Sequence, residues 1–217
     1  MENILKKNFL LSKLNYSNLK PNGALMDSID ICKSIIPRIK TDRNWVTINI
    51  RKAFDHSIVF IHSNINIDER YGFLKDYKDL ILVCSQKSTM YKMRKYGRSI
   101  FLPLSIDVDY VKQFKCSKYK GTCYAGRENK MHSENLRHKE GVDYLCNYTH
   151  NGLLEEMAKY KQVYAVGLTA LEAKALGCKI LPYDTRFPDP SIWKVRDVKT
   201  IYKELQTKLD KIDGVKE

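Results

Sequence analysis

Tyr164-Ala165-Val166-Gly167-Leu168-Thr169-Ala170-Leu171-Glu172-Ala173-Lys174-Ala175-Leu176-Gly177-Cys178-Lys179-Ile180-Leu181-Pro182-Tyr183 decides how this chain is read. The small turn Gly167-Leu168-Thr169 opens a short helix, and Leu168, Leu171, Ala175 and Leu176 fall three or four apart on one apolar face. Gly177 closes the helix, because glycine takes the left-handed conformation after a last turn without steric cost. A buried strand, Cys178 to Pro182, follows at once. Glu172 lies off the apolar face, outside the expected core, where its carboxylate points across the opening of the turn. The plain alternative is a solvated glutamate on an ordinary α/β helix.

The 217 residues suffice for one large α/β domain or two small ones. A hydrophobic fraction of 43% is that of an ordinary folded protein. No apolar run is long enough to span a bilayer, and Met1-Glu2-Asn3-Ile4-Leu5-Lys6-Lys7-Asn8 has no signal-peptide pattern, so a cytoplasmic protein without a transmembrane segment is expected. The six cysteines are scattered with no Cys-x-x-Cys pair, so core thiols are expected rather than a zinc site or a disulfide framework. The net charge of +13 implies attraction to polyanions such as nucleic acid, an anionic membrane or a cell-wall polymer; a solubility surface is the bland alternative.

Along the chain, Phe9–Leu14 reads as a first strand, residues 15–23 as a loop broken by Pro21 and Gly23, and Ala24–Ile36 as a helix ended by Pro37. Val46–Ile50, Ser57–His62 and Leu80–Cys84 read as strands whose continuous Val, Ile and Leu runs suit a parallel sheet covered on both faces. His62-Ser63-Asn64 falls where the second of these leaves the sheet. Ligands gather outside the carboxyl ends of such strands, which makes His62 a candidate base or acceptor-binding residue; a structural strand-end histidine is the alternative. A helix over Lys87–Tyr96, stopped by Gly97, carries Lys87, Lys92, Arg94 and Lys95. After the basic linker Lys115–Lys120, a strand runs into Gly126-Arg127, a second strand covers Val142–Cys146, and a helix is expected over Leu153–Lys161. His150 and Asn151 sit at that strand–helix junction as nucleotide contacts or helix caps. The tail from Asp197 to Leu209 is an amphipathic helix.

Gly167-Leu168-Thr169-Ala170-Leu171-Glu172-Ala173-Lys174-Ala175-Leu176-Gly177 resembles the second-domain signature of GT-B glycosyltransferases, G-L-x-x-x-E-A-x-A-x-G. The passage Val83 to Phe114 resembles the interdomain passage of that family. It has a strand ending at Ser85, a helix and Gly97, with Pro103 and Asp107 in their places in P-N-G-V-D-x-x-x-F and Leu104-Ser105 where Asn-Gly stands. The resemblance implies an α/β protein of two small Rossmann-like domains with parallel sheets, an acceptor side over 1–105 and a nucleotide-sugar side over 106–217 with a C-terminal crossing helix. It implies transfer of a sugar from a nucleotide-diphosphate donor to a hydroxyl acceptor, a modified DNA base or a cell-surface glycan, with no metal and no cofactor beyond the donor. In that reading Glu172 holds the donor ribose, the backbone of Gly167, Leu168 and Thr169 faces the phosphates, and Arg127 and Lys130 bind the diphosphate as a bidentate fork and a point charge. Tyr164 stands where retaining members carry a first glutamate, which leaves the stereochemical outcome open. The rival is a GT-B-like module that binds nucleotide or nucleic acid without turnover.

Overall fold

The computed structural model describes residues 23–47, 53–62, 66–128, 136 and 139–214. Among them lie two four-stranded sheets, both wholly parallel, with helices between the strands: an α/β architecture. The described residues divide into two compact units, one containing Asp27–Leu104 and the stretch from Val198 onward, the other containing Ser105–Asp197.

In the first unit the strands β1 (Asn44–Val46), β2 (Ser57–Ile61), β3 (Leu80–Cys84) and β4 (Arg98–Phe101) lie in chain order. Every residue of β2 and β3 is buried, as expected of parallel strands covered on both faces. Successive side chains alternate between those faces. Ile58, Phe60, Ile81 and Val83 meet Ile31, Ile35 and the C-terminal helix through Val198, Ile201, Leu205 and Leu209. Val59, Ile61, Leu80, Leu82 and Cys84 meet Tyr71, Leu74 and Met93 on the other side. Gly97 is dictated by crowding, because a Cβ there would lie 2.9 Å from the Leu80 carbonyl oxygen.

Several boundaries differ from those expected. Helix α1 (Gly23–Asp30) continues through a π turn, Ile31–Ile35, and a 3-10 turn, Ile36–Arg38, so Pro37 sits inside the last turn. A proline ring crowds the carbonyl four residues back and lacks an N–H, which favours such a tightened end. Strand β1 begins two residues earlier than Val46, and 48–52 lie outside the described residues, as do Phe9–Leu14 and the loop to 22. Helix α2 (Ile67–Tyr71) precedes β3, and helix α3 (Lys87–Met93) ends before the expected Tyr96.

The second unit holds α4 (Val108–Lys112), β5 (Lys120–Ala125), β6 (Val142–Leu145), α5 (His150–Met157), β7 (Tyr160–Tyr164), α6 (Leu168–Ala175) and β8 (Lys179–Leu181), with strand order β6-β5-β7-β8. A strand at Tyr160–Tyr164 takes residues that read as the end of a helix. Gly177 follows α6 with φ +84, as its place after the last turn requires. The two ends of this unit are tied by a parallel bridge between Ile106 and Asp197. Helix α7 (Val198–Asp213) then returns the chain to the first sheet. Cys32, Cys84, Cys123 and Cys178 are buried, and burial pushes the thiols of Cys32 and Cys84 up to about 11 and about 12, as inert core groups. No helix among the described residues is long and apolar enough to cross a membrane.

Candidate functional site

The strand order of the second sheet reverses at β5: the chain steps to β6 on one side, then to β7 on the other. In open parallel sheets the loops leaving the two strands beside such a reversal part and leave a crevice at their carboxyl ends. The segments leaving β5 and β7 are Gly126-Arg127 and Ala165-Val166-Gly167, which carry the Arg127 and Gly167 singled out from sequence.

Gly126 is set by a close approach. The buried ring of Tyr124 passes under it and donates its hydroxyl hydrogen to the Arg127 carbonyl at 3.1 Å. A Cβ on Gly126 would fall 2.5 Å from that hydroxyl oxygen. The Arg127 side chain is exposed. Lys130, its expected companion, lies outside the described residues. A different lysine is near: Lys139 donates to the Tyr164 hydroxyl at 2.6 Å and stands over that ring at 5.0 Å. Tyr164, the last residue of β7, is buried in a cluster with Tyr124 and Leu136 against which Tyr144 and Tyr183 pack. Burial pushes the Tyr183 phenol well above its ordinary range.

Gly167 precedes α6 with φ +68 and ψ −140, a conformation open to glycine and strained for other residues. No described atom lies within 4 Å of where its Cβ would be, so the requirement is one of backbone shape. The N–H groups of the first turn of α6 have no partner within the helix, the general condition of a helix start. Leu168 is buried and Thr169 half-buried at that turn.

Glu172 departs from the expectation that it lies outside the core. It is buried, 6% exposed, and its Oε1 accepts from Nε2 of His150 at 2.7 Å. The reason is that α6 is covered on more than its apolar stripe: Ala170, Leu171, Glu172 and Ala173 are consecutive buried residues. A carboxylate taken out of water needs a hydrogen-bond donor, and α5 supplies one from its first residue. Thr149, rather than His150 or Asn151, caps α5, its hydroxyl accepting from Gly152 N–H at 3.2 Å. His150 is fixed from the other side by Tyr110 of α4, stacked with ring centroids 6.2 Å apart and 11° between planes. The Tyr110 hydroxyl in turn donates to Asn151 Oδ1. Glu172, His150, Tyr110 and Asn151 thus form one set. Tyr110 was not legible as a member, since its partner is forty-one positions away.

His62 belongs to the first unit, one residue past the end of β2. Its Nδ1 lies 3.1 Å from Asp27 Oδ2. Nε2 donates to the Thr47 carbonyl, with Ser28 Oγ 3.2 Å away. Ser28 also donates to that carbonyl, at 2.9 Å. With an acceptor at each nitrogen, the protonated ring is favoured. Burial opposes that charge, but the Asp27 carboxylate and then the Thr47 carbonyl outweigh it, so the pKa is raised above 6.5. Asp27 escaped notice in the sequence because a lone acid in an apolar helix reads as a solvated position. Ser63 and Asn64 lie outside the described residues.

The described residues hold no group of three His, Cys, Asp or Glu side chains arranged for a metal ion. No family model, no curated protein and no solved structure matches this chain.

Proposed function

We propose that the second unit binds the diphosphate of a nucleotide-sugar and that the protein is a GT-B-type glycosyltransferase acting on a hydroxyl acceptor. The observation that carries this reading is the convergence of Arg127 and the Gly167 turn on the carboxyl ends of β5 and β7, the two strands beside the reversal of strand order. An arginine there offers a two-pronged donor to a phosphate, and helix N–H groups favour an anion. Glu172 has one oxygen committed to His150, so its part in holding a ribose is to orient that pair or to offer its second oxygen. The acceptors at both nitrogens of His62 favour its protonated form, in which it is an acid or a positive charge; it serves as a base only in its neutral form.

Titration calorimetry with uridine and guanosine diphosphates tests the reading. Arg127→Ala should weaken binding by about 1.5–3 kcal/mol, the range for a charge-assisted hydrogen bond, with an unchanged melting temperature because the side chain is exposed. Equal affinity in variant and parent removes the phosphate assignment. A second reading, a module that binds the nucleotide without turnover, is favoured by the engagement of both His62 nitrogens. Release of free sugar from a bound nucleotide-sugar, even slowly, decides against it.

A further inference from the structure

We propose that α3 and the turn after it form a docking surface for single-stranded nucleic acid, with Tyr91 as its base-stacking platform. From Lys87 to Arg98 the sequence holds five cations and no acid. Only Thr89 and Met93 of α3 are buried, so the helix spends one narrow stripe on the core and turns the rest outward. Tyr91 stands 58% exposed on that outer side, with the Arg94 guanidinium over its ring at 4.7 Å. An aromatic ring beside a guanidinium is the arrangement on which an unpaired base stacks while its phosphates meet cations.

A second aromatic of the same unit, Phe101 at the end of β4, does not repeat the pattern. It is half-buried, and of the two ammonium groups 5.9 Å from its ring centre, Lys87 and Lys208, the second is committed to the Phe101 carbonyl at 2.6 Å and to Glu204. Among the described residues Asp68 takes Lys95 at 2.5 Å and the Tyr96 hydroxyl at 2.6 Å, and Arg98 donates to the Ile212 carbonyl at 3.2 Å, so two of the cations are spent, while Lys92 and Arg94 are exposed.

The basic linker offers a contrast. Lys118 is turned onto the Ala158 carbonyl at 2.9 Å, and Lys120 onto Glu156, so the exposed ring of Tyr119 stands among lysines committed to the protein. Charge complementarity alone would suit any polyanion. The exposed ring beside a guanidinium favours an unpaired base, whose π-face is open where a duplex hides it.

The test is fluorescence anisotropy of a labelled oligothymidylate over a salt series, without nucleotide present, so that its outcome is independent of the Arg127 site. Tyr91→Ala should weaken binding roughly 5- to 160-fold, the effect of losing one stacked base, and Tyr91→Phe should keep most of the affinity. Tyr119→Ala should bind like the parent. Lys92→Gln with Arg94→Gln should flatten the slope of log K on log salt by about 1.4, since each phosphate neutralised on a single strand contributes about 0.7. The proposal is overturned if Tyr91→Ala binds as the parent does. It is equally overturned if the parent takes a duplex or dextran sulfate as tightly as the oligothymidylate, or shows no binding at low salt.

Discussion

Among the described residues, two histidines lie in segments that leave the carboxyl ends of parallel strands, each against a carboxylate, and the two pairs are built for different ends. In the first unit His62 and Asp27 have side chains 12% and 16% exposed, and the ring has an acceptor at both nitrogens. In the second, His150 and Glu172 are 4% and 8% exposed, and the ring is clamped between a carboxylate and the face of Tyr110. The first arrangement favours a protonated ring against the cost of burial. The second joins α5 to α6 through the interior. Depth separates the two pairs: the less a hydrogen-bonded polar pair sees water, the more the fold depends on both partners being present.

The largest expected effect follows from that depth. Glu172→Ala should destabilise the protein by about 3 kcal/mol, the cost of leaving half of a buried pair, whereas Glu172→Gln should lose about 1 kcal/mol because the amide oxygen still accepts from His150. Urea titrations of the two variants sharpen the contrast, and equal, small losses would break it. Next comes Gly126→Ala. The added methyl has nowhere to go but into the buried Tyr124 ring, and a loss of about 2 kcal/mol in the same assay is expected. Parental stability in that variant would show that the ring yields easily.

The smallest effect concerns pH. Because the folded pKa of His62 is raised above 6.5, its contribution to stability is complete below that value and is lost as pH rises through the folded pKa. Urea midpoints should therefore decline from about pH 6.5 upward. His56, raised by Asp79 and Asp42 at the surface, adds to the same trend, so the comparison is between parent and His62→Gln, whose decline should be shallower. An identical profile in the two proteins would mean that Asp27 does not hold the charge.

What the sequence makes legible follows from the range of the interactions involved. Leu80–Cys84 reads as a strand because every side chain is apolar, and it is one. Gly177 reads as a helix stop because the requirement is local. Tyr160–Tyr164 does not read as a strand: Lys161 and Gln162 interrupt it, and only pairing with β5 and β8 on either side makes it one. The candidate site divides in the same way. Glu172 and Arg127 stand out through their neighbours in sequence, but the burial of Glu172 depends on His150, twenty-two positions away, and the charge on His62 on Asp27. Neither partnership leaves a trace in spacing.

The return of α7 to the first sheet fixes an order of events at the ribosome. The sheet face formed by Ile58, Phe60, Ile81 and Val83 is covered by Val198, Ile201, Leu205 and Leu209, which are translated only after the whole of Ser105–Asp197. At 5–20 residues per second, that intervening stretch keeps the face waiting for about 5–20 s. Ser105–Asp197 is continuous and its ends are bridged at Ile106 and Asp197, so it is the part able to close upon itself in the meantime. The unit that starts first is the one that finishes last, and during that interval an apolar sheet is offered to whatever chaperone or neighbouring nascent chain is at hand.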